Sequence, residues 1–332
     1  MNLSISVAMC TFNGSRFLPE QLQSIALQER LPDELVICDD GSSDDSFGII
    51  AGFTRKVPFP VRALRNDKNI GSTTNFEMAI SLCRGSVLVL ADQDDVWYQH
   101  KLKRIEEVFS GADAPVAVFS DADLVDNDSK PLGQNLWDSF LFGPREQRRF
   151  ANGEALKILV KHPVVTGATM AFRKEFRDSL LPIPANHVHD SWIAFLLAAS
   201  GTFTPISEPL MQYRRHASQQ VGPGHATLRA RFQSARRTGP LFYRQETERF
   251  NQLYERLEQR RADFPYAERG LREIKNKISH REHRAGLSRT SVARIPRVLR
   301  EIVNRGYWRY SEGWQSVAKD LAGLFQHRKS FE

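Results

Sequence analysis

"LVLADQDDVW" spans residues 88–97 and delivers an apolar run into three aspartates, Asp92, Asp94 and Asp95. The run has no polar alternation, so it reads as a strand buried on both faces, the pattern of a parallel sheet. The same unit recurs upstream. "LSISVAMC" is a strand, and "SRFLPEQLQSIALQ" is a helix with Phe17, Leu22, Ile25 and Ala26 on one face. "ELVICDD" and "FPVRALRN" are two more strands, and Gly71–Cys83 is a helix with Phe76, Met78, Ala79, Ile80 and Leu82 as its apolar side. The helix "HKLKRIEEVF" and the strand "PVAVFSDA" follow 88–97. Repeated βαβ units predict a doubly wound α/β sheet.

Polar residues close each of these strands: Thr11–Gly14, Asp39–Ser43, Asn66–Gly71 and Asp92–Asp95. Open α/β sheets bind ligands outside the carboxyl ends of their strands. A turn or helix cap explains any one cluster, but four at successive strand ends predict one shared site. Crowded carboxylates call for a cation. A hard divalent ion such as Mg²⁺ takes oxygen ligands and is shared between one or two carboxylates and substrate phosphates. The competing reading is that Asp94 or Asp95 caps a helix starting near Trp97, which needs one carboxylate and not three.

The 332 residues are 41% hydrophobic and 26% charged, as in a globular protein. Cys10, Cys38 and Cys83 lie apart and beside apolar runs, so they read as core residues and not as a disulfide or zinc framework. With no secretory pattern at "MNLSISVAMCTFNG" and no apolar run near the length of a membrane span, a cytoplasmic location is expected. GxGxxG and GxxxxGK[ST] are both absent, which excludes the usual glycine-rich phosphate loops.

Past residue 150, "GEALKILV" is helix-like, "PVVTGATMAF" strand-like, "DSWIAFLLAAS" a strongly apolar helix, and "FTPISEPLMQYRRH" one or two short strands. Charge divides the chain. Residues 1–220 carry a net of −5 and residues 221–332 a net of +12, with a Gly/Pro-rich boundary expected at 219–226.

"SVAMCTFNG", "LVICDDGSSDDS", "NIGSTTNFEMAI" and "LADQDDVWYQHKL" resemble the nucleotide-binding half of an inverting family 2 glycosyltransferase of GT-A fold. "VTGATMAF", "HVHDSWIAFLLAASG" and "EPLMQYRRHASQQVG" resemble its acceptor half, and the rhamnosyltransferase-like enzymes of bacterial cell-surface polysaccharide synthesis are the similar subgroup. The resemblance implies a mixed, mostly parallel sheet flanked by helices. It also implies a catalytic domain over residues 1–221, with a donor half 1–125 and an acceptor half 126–221, and a basic helical extension over 222–332. It implies a dTDP- or UDP-sugar donor, a glycan or lipid-linked acceptor, and Mg²⁺ or Mn²⁺ as cofactor. On that basis Asp94 is the direct metal ligand, Asp92 lies near the metal or ribose, Asp95 supports them, and His216 reaches the metal or diphosphate. Asp39, with Asp40, matches the strand end that reads the base. Thr11 and Asn13 match the pocket lining, Asn69, Gly71 and Asn75 the segment closing over it, and Arg215 a counter-charge to phosphate.

Asp190 matches the catalytic base of that family, and an inverting displacement requires a base for the acceptor hydroxyl. The subgroup carries two aromatics after this aspartate, whereas here Ser191 precedes Trp192, which puts the acceptor pocket in question. His187 and His189, alternating beside Asp190, read as packing and not as a zinc site.

The basic tail interleaves Arg with Glu and has no nucleic-acid motif. Helices are expected over Tyr243–Arg261 and Gly270–Arg284. In "SVARIPRVLREIVNRGYWRYSEGW", Ile295, Val298, Leu299, Ile302 and Val303 form an apolar face near Tyr307, Trp308, Tyr310 and Trp314. That face suits an anionic membrane surface, the catalytic domain or a second subunit equally. Two rival functions stand beside glycosyl transfer: a sugar-1-phosphate nucleotidyltransferase, for which "CTFNGSRF" is a poor phosphate loop, and a sugar-nucleotide-binding protein without turnover.

Overall fold

A computed structural model describes residues 3–216, 240–287 and 294–322. The boundary expected at 219–226 lies outside them. Contacts divide the chain into one unit of Met1–Ala155 and Val164–Pro223 and a second of Leu156–Pro163 and Gly224–Glu332.

The first unit is built on one nine-stranded mixed sheet. Its strands are β1 (Ile5–Thr11), β2 (Glu34–Asp39), β3 (Val61–Arg65), β4 (Val87–Ala91), β5 (Val96–Trp97), β6 (Ala117–Val125), β7 (Pro131–Asn135), β8 (Met170–Arg173) and β9 (Phe203–Arg214). They run in the order β3-β2-β1-β4-β8-β6-β9-β5, with β7 on β6, and β3-β2-β1-β4 are parallel. Helices α1 (Leu18–Ala26), α2 (Ser46–Thr54), α3 (Ser72–Leu82) and α4 (Lys101–Phe109) connect the parallel strands or follow them. This is the mixed α/β sheet flanked by helices that the family resemblance implies; the βαβ repeats account for its parallel part, β3-β2-β1-β4. Every residue of β1, β2 and β4 is buried, which is why these strands are written in unbroken apolar runs, whereas edge strand β3 is half exposed.

Register decides where the site lies. Met9 pairs with Ala91 and Thr11 with Asp39, so β1, β2 and β4 leave the sheet at one level. The chain moves outward from β1 to β2 to β3, then returns to the other side of β1 for β4. That reversal between β1 and β4 is a topological switch point, where diverging loops leave a crevice.

Three local readings change. Val96 and Trp97 do not open a helix; they pair antiparallel with Gln212 and Met211 of β9, and α4 begins at Lys101. The stretch "FTPISEPLMQYRRH" yields one twelve-residue strand, β9. In "PVVTGATMAF" only Met170–Arg173 is strand, preceded by a 3-10 turn at Gly167–Thr169.

Gly41 follows the two aspartates after β2 with φ +70°, and a Cβ there would lie 2.9 Å from the Lys68 carbonyl carbon. Both the backbone angle and the contact exclude a side chain. Gly41→Ala is expected to destabilise the protein by about 1–3 kcal/mol, read as a lower urea midpoint with an unchanged slope.

The second unit is helical over its described residues, with Pro240–Gln259 packed on Ala267–Ala285, then Arg294–Val303, Gly306–Tyr310 and Trp314–Ala322. Its interior is held by polar groups as much as by apolar ones. Arg284 donates to both oxygens of buried Asp320 at 2.7 and 3.0 Å and to Ser311 Oγ at 2.9 Å, and the Tyr307 hydroxyl donates to Asp320 at 2.7 Å. His280 bridges Glu301 (2.5 Å) and Ser311 (2.9 Å). The apolar face expected on 295–303 therefore divides. Val298 is buried against Tyr307 and Val317 with Ile302 beside it, while Ile295, Leu299 and Val303 are exposed. Tyr307 and Tyr310, expected at an interface, are buried because their hydroxyls meet Asp320 and Glu273.

Candidate active site

The loops after β1 and β4 flank the switch point and are bonded to one another. Gln93 accepts from the Phe12 N–H (2.8 Å) and donates to the Phe12 carbonyl (3.1 Å). Across β2, Asp39 is fully buried and engaged. It accepts from Thr11 Oγ1 at 2.9 Å, from Ser42 Oγ at 2.5 Å and from the Ser42 N–H at 3.0 Å, with Arg65 at 3.6 Å. Asn13 sits in the left-handed region at φ 48°. Its side-chain oxygen accepts from the Ser43 N–H at 2.8 Å, while its own N–H donates to Ser42 at 2.9 Å. Asp44 ties the β1 loop to the start of α2, accepting from the Ser15 N–H and from Ser46. Burial opposes ionisation there, but these bonds outweigh it and bring the carboxyl down to about 2.

Asp40 holds the segment before α3. It accepts from the backbone N–H groups of Ile70 (2.8 Å) and Gly71 (3.0 Å) and from Asn66 Nδ2 (3.0 Å). Asn75 completes the lattice, accepting from Asn66 and donating to the Cys38 carbonyl at 2.7 Å. Asn69 accepts from the Gly71 N–H at 3.1 Å. Thr11, Asn13, Asp39, Asp40, Asn69, Gly71 and Asn75 are thus one bonded system at the ends of β1 and β2.

Beyond β4 the carboxylates gather. Asp94 Oδ2 lies 2.7 Å from His216 Nε2, whose ring packs on Phe17 at 4.9 Å. Asp95 is buried and does not cap a helix. Its Oδ1 accepts from the Arg214 N–H at 3.1 Å, and its Oδ2 has no partner among the described residues. Burial, then the charges of Asp94 and Asp190, push the Asp92 carboxyl up to about 7 against the pull of Lys101. Asp95 rises well above the carboxylate range for the same reason, burial beside Asp94 and Asp92.

Lys101 is fully buried beneath this group. Its ammonium donates to the Ala168 carbonyl at 2.8 Å and lies 4.0 Å from the centre of the Trp97 ring. Burial brings its pKa down to about 7, opposed by Asp95 and Asp92. Arg214 is the second buried cation. It donates to the Asp94 carbonyl at 2.8 Å and to Ser129 at 2.8 Å, and it pairs with Glu20 at 2.5 Å. Arg215, the residue singled out in the sequence, donates its backbone N–H to the Val125 carbonyl at 2.8 Å.

Asp190 stands in the first turn of the helix His189–Ser200. Its Oδ1 accepts from the Ser191 N–H (2.5 Å) and hydroxyl (3.2 Å). Neighbouring His189 is buried and stacked on Phe76 of α3 at 4.0 Å, with neither ring nitrogen bonded among the described residues. Burial lowers its pKa against the pull of Asp190, which favours the neutral ring. A Cβ on Gly167 would come 2.6 Å from His189 Nε2, so the "TGA" turn must be glycine for this ring to fit.

No group of three or more His, Cys, Asp or Glu side chains is arranged as a metal site among the described residues. The donor set nevertheless fits a hard divalent ion that arrives with a diphosphate. Asp94 and His216 already meet, Asp92 has its pKa raised to about 7 by burial and then by Asp94 and Asp190, and Asp95 has a buried oxygen without a partner among the described residues. One or two carboxylates plus substrate oxygens is how Mg²⁺ is ordinarily held.

Sequence reasoning passed over Gln93, Lys101, Arg214 and the site position of Phe17. Lys101 and Arg214 look like surface charges in a string of letters, and their only signal is position: Lys101 opens α4 six residues past Asp95, and Arg214 closes β9.

The profile described as "Glycosyl transferase family 2" matches residues 6–181. The chain is 29% identical over 234 residues to a Nostoc sp. protein described as an uncharacterized glycosyltransferase, covering 68% of this chain and 69% of that one. It is 26% identical over 252 residues to the dTDP-rhamnosyl transferase RfbG of Shigella flexneri, covering 72% and 81%. Among solved structures, S. aureus TarS 1-349 in complex with UDP-GlcNAc is similar with a TM-score of 0.54 at 15% identity, covering 97% of this chain and 80% of that one. At that identity the likeness speaks to the fold, which is the GT-A architecture expected from the motifs.

Proposed function

The chain belongs to glycosyltransferase family 2, and from that premise we propose that it transfers a sugar from a nucleotide-diphosphate donor to a hydroxyl of a glycan or lipid-linked acceptor, with inversion. The observation that supports this reading is the meeting of Asp94 and His216 at 2.7 Å, just beyond the ends of β4 and β9 and beside Asp92 in sequence. Asp190 is distant in sequence, yet its charge raises the Asp92 pKa. One end of such a crevice suits a diphosphate and the other suits a proton acceptor. The name of the Shigella relative makes dTDP-rhamnose the first donor to test, and a role in cell-surface polysaccharide or O-antigen synthesis is what the motif resemblance implies. The TarS complex makes a UDP-sugar the second.

The nucleotide lies along the ends of β1 and β2, where the Asp39–Thr11–Ser42 and Asp40–Asn66–Gly71 bonds fix the walls in advance. Asp94 and His216, with Asp92, would hold Mg²⁺ or Mn²⁺, which when bound supplies Lewis-acid stabilisation of the departing diphosphate. Arg215 adds cationic charge nearby. Asp190 removes the acceptor hydroxyl proton as that oxygen bonds to the anomeric carbon and the carbon–diphosphate bond breaks. Among the described residues both hydrogen bonds to Asp190 fall on Oδ1, which leaves Oδ2 to take the proton.

A calorimetric screen of nucleotide sugars with and without Mn²⁺ tests the reading. The intact protein is expected to bind at least one donor in a Mn²⁺-dependent way, and Asp94→Ala is expected to weaken that binding about tenfold or more. If no donor binds with metal present, or Asp94→Ala leaves affinity unchanged, the assignment is wrong.

A further inference from the structure

We propose that the exposed face of the helix Arg294–Val303 docks this protein on an anionic lipid surface. Going round the helix at about 100° per residue, the order of side chains is informative. Glu301, Arg294 and Val298 form the buried arc, and half-buried Ile302 comes next. Ile295, Leu299 and Val303 follow as one strip, 43%, 53% and 80% exposed, and exposed Pro296, Arg300 and Arg297 close the circle. The helix therefore presents an aliphatic strip with an arginine flank, facing away from its own core. Just beyond its end, Trp308 and Trp314 pack edge to face at 5.2 Å and both remain exposed, with exposed Arg305 and Arg309 close in sequence.

The carboxylates of the segment do not balance this charge. Glu301 is drawn inward by His280 and Asp320 by Arg284 and Tyr307, and the exposed Glu312 is taken by Lys319 at 2.8 Å. The outward surface is thus aliphatic, aromatic and cationic. A second copy of the chain is a poor occupant, because a twofold contact sets each patch against itself and opposes arginine to arginine. Phosphate headgroups neutralise the same arginines while the aliphatic strip and indoles enter the interfacial layer. The helix lies on such a surface and does not cross it. Its ten residues span about 15 Å, and no helix among the described residues is long and apolar enough to span a bilayer.

The inference is independent of the donor site, and its failure leaves that reading standing. The test is sedimentation of the full chain with phosphatidylcholine vesicles, with and without phosphatidylglycerol. Binding is expected only to the phosphatidylglycerol vesicles and is expected to fall as salt is raised. The double variant Leu299→Ser/Val303→Ser is expected to lose about tenfold or more in partitioning, with an unchanged circular dichroism melt because both side chains are exposed. Arg300→Ser/Arg305→Ser is expected to weaken binding in the same direction. Failure of the intact protein to sediment, equal binding to neutral vesicles, or full retention by the Leu299/Val303 variant each overturns the proposal. So does a salt-stable dimer in light scattering that the same variant abolishes, since a second copy then covers the strip.

Discussion

Asp190→Asn is expected to lower kcat for sugar transfer by about a hundred- to ten-thousand-fold and to leave donor affinity within about twofold. The substitution keeps the shape of the side chain and an oxygen for the Ser191 N–H, so the first turn of His189–Ser200 and the stacked His189 stay in place. What it removes is the second carboxylate oxygen that receives the acceptor proton. Donor calorimetry beside steady-state transfer separates that chemistry from a folding defect. Equal loss of donor binding and turnover would make Asp190 a structural cap and return the base to another residue. Turnover with normal kcat would dismiss it altogether.

The second large effect is in the pH dependence of metal binding. Asp92 titrates near 7 because it is buried beside Asp94 and Asp190. A cation entering the site must displace that proton, so apparent Mn²⁺ affinity is expected to rise about tenfold between pH 6 and pH 8 and to flatten above. Lys101 holds the Asp92 pKa down, so Lys101→Met should move the midpoint to higher pH. The same proton bears on stability with a definite sign. The folded-state pKa is raised, so between the ordinary value of 3.8 and about 7 the native state holds the extra proton. Its contribution to stability is complete below that window and is lost as pH rises through about 7. Added Mn²⁺ should recover stability at the alkaline end. Mn²⁺ titrations and thermal melts at pH 6, 7 and 8 measure both, and a flat affinity profile would place the cation away from Asp92.

Strand ends were legible in the sequence because buried parallel strands are written in continuous apolar letters and their polar terminators stand out. "ISVAMCT", "ELVICD" and "VLVLA" needed no partner to be recognised. The antiparallel half was harder. β5 is two residues long and exists only because β9 passes beside it, so "DDVW" looked like a helix start. The buried cations were invisible for a related reason. Lys101 and Arg214 are stabilised by carbonyls from residues far away in the chain, Ala168 and Asp94, which local periodicity does not register. In the tail, the hydrophobic pattern identified the amphipathic helix but not its two destinations, since Val298 and Leu299 are equivalent as letters and opposite in burial.

The clasp between Gln93 and Phe12 has one more consequence. The Phe12 amide is bonded to a side chain of the aspartate loop and not to the sheet. Its proton therefore exchanges with solvent when that loop opens, even while β1 stays intact. One amide in the chain serves as a gauge of whether the cation-side loop is closed, and its protection should lengthen as that loop is pinned.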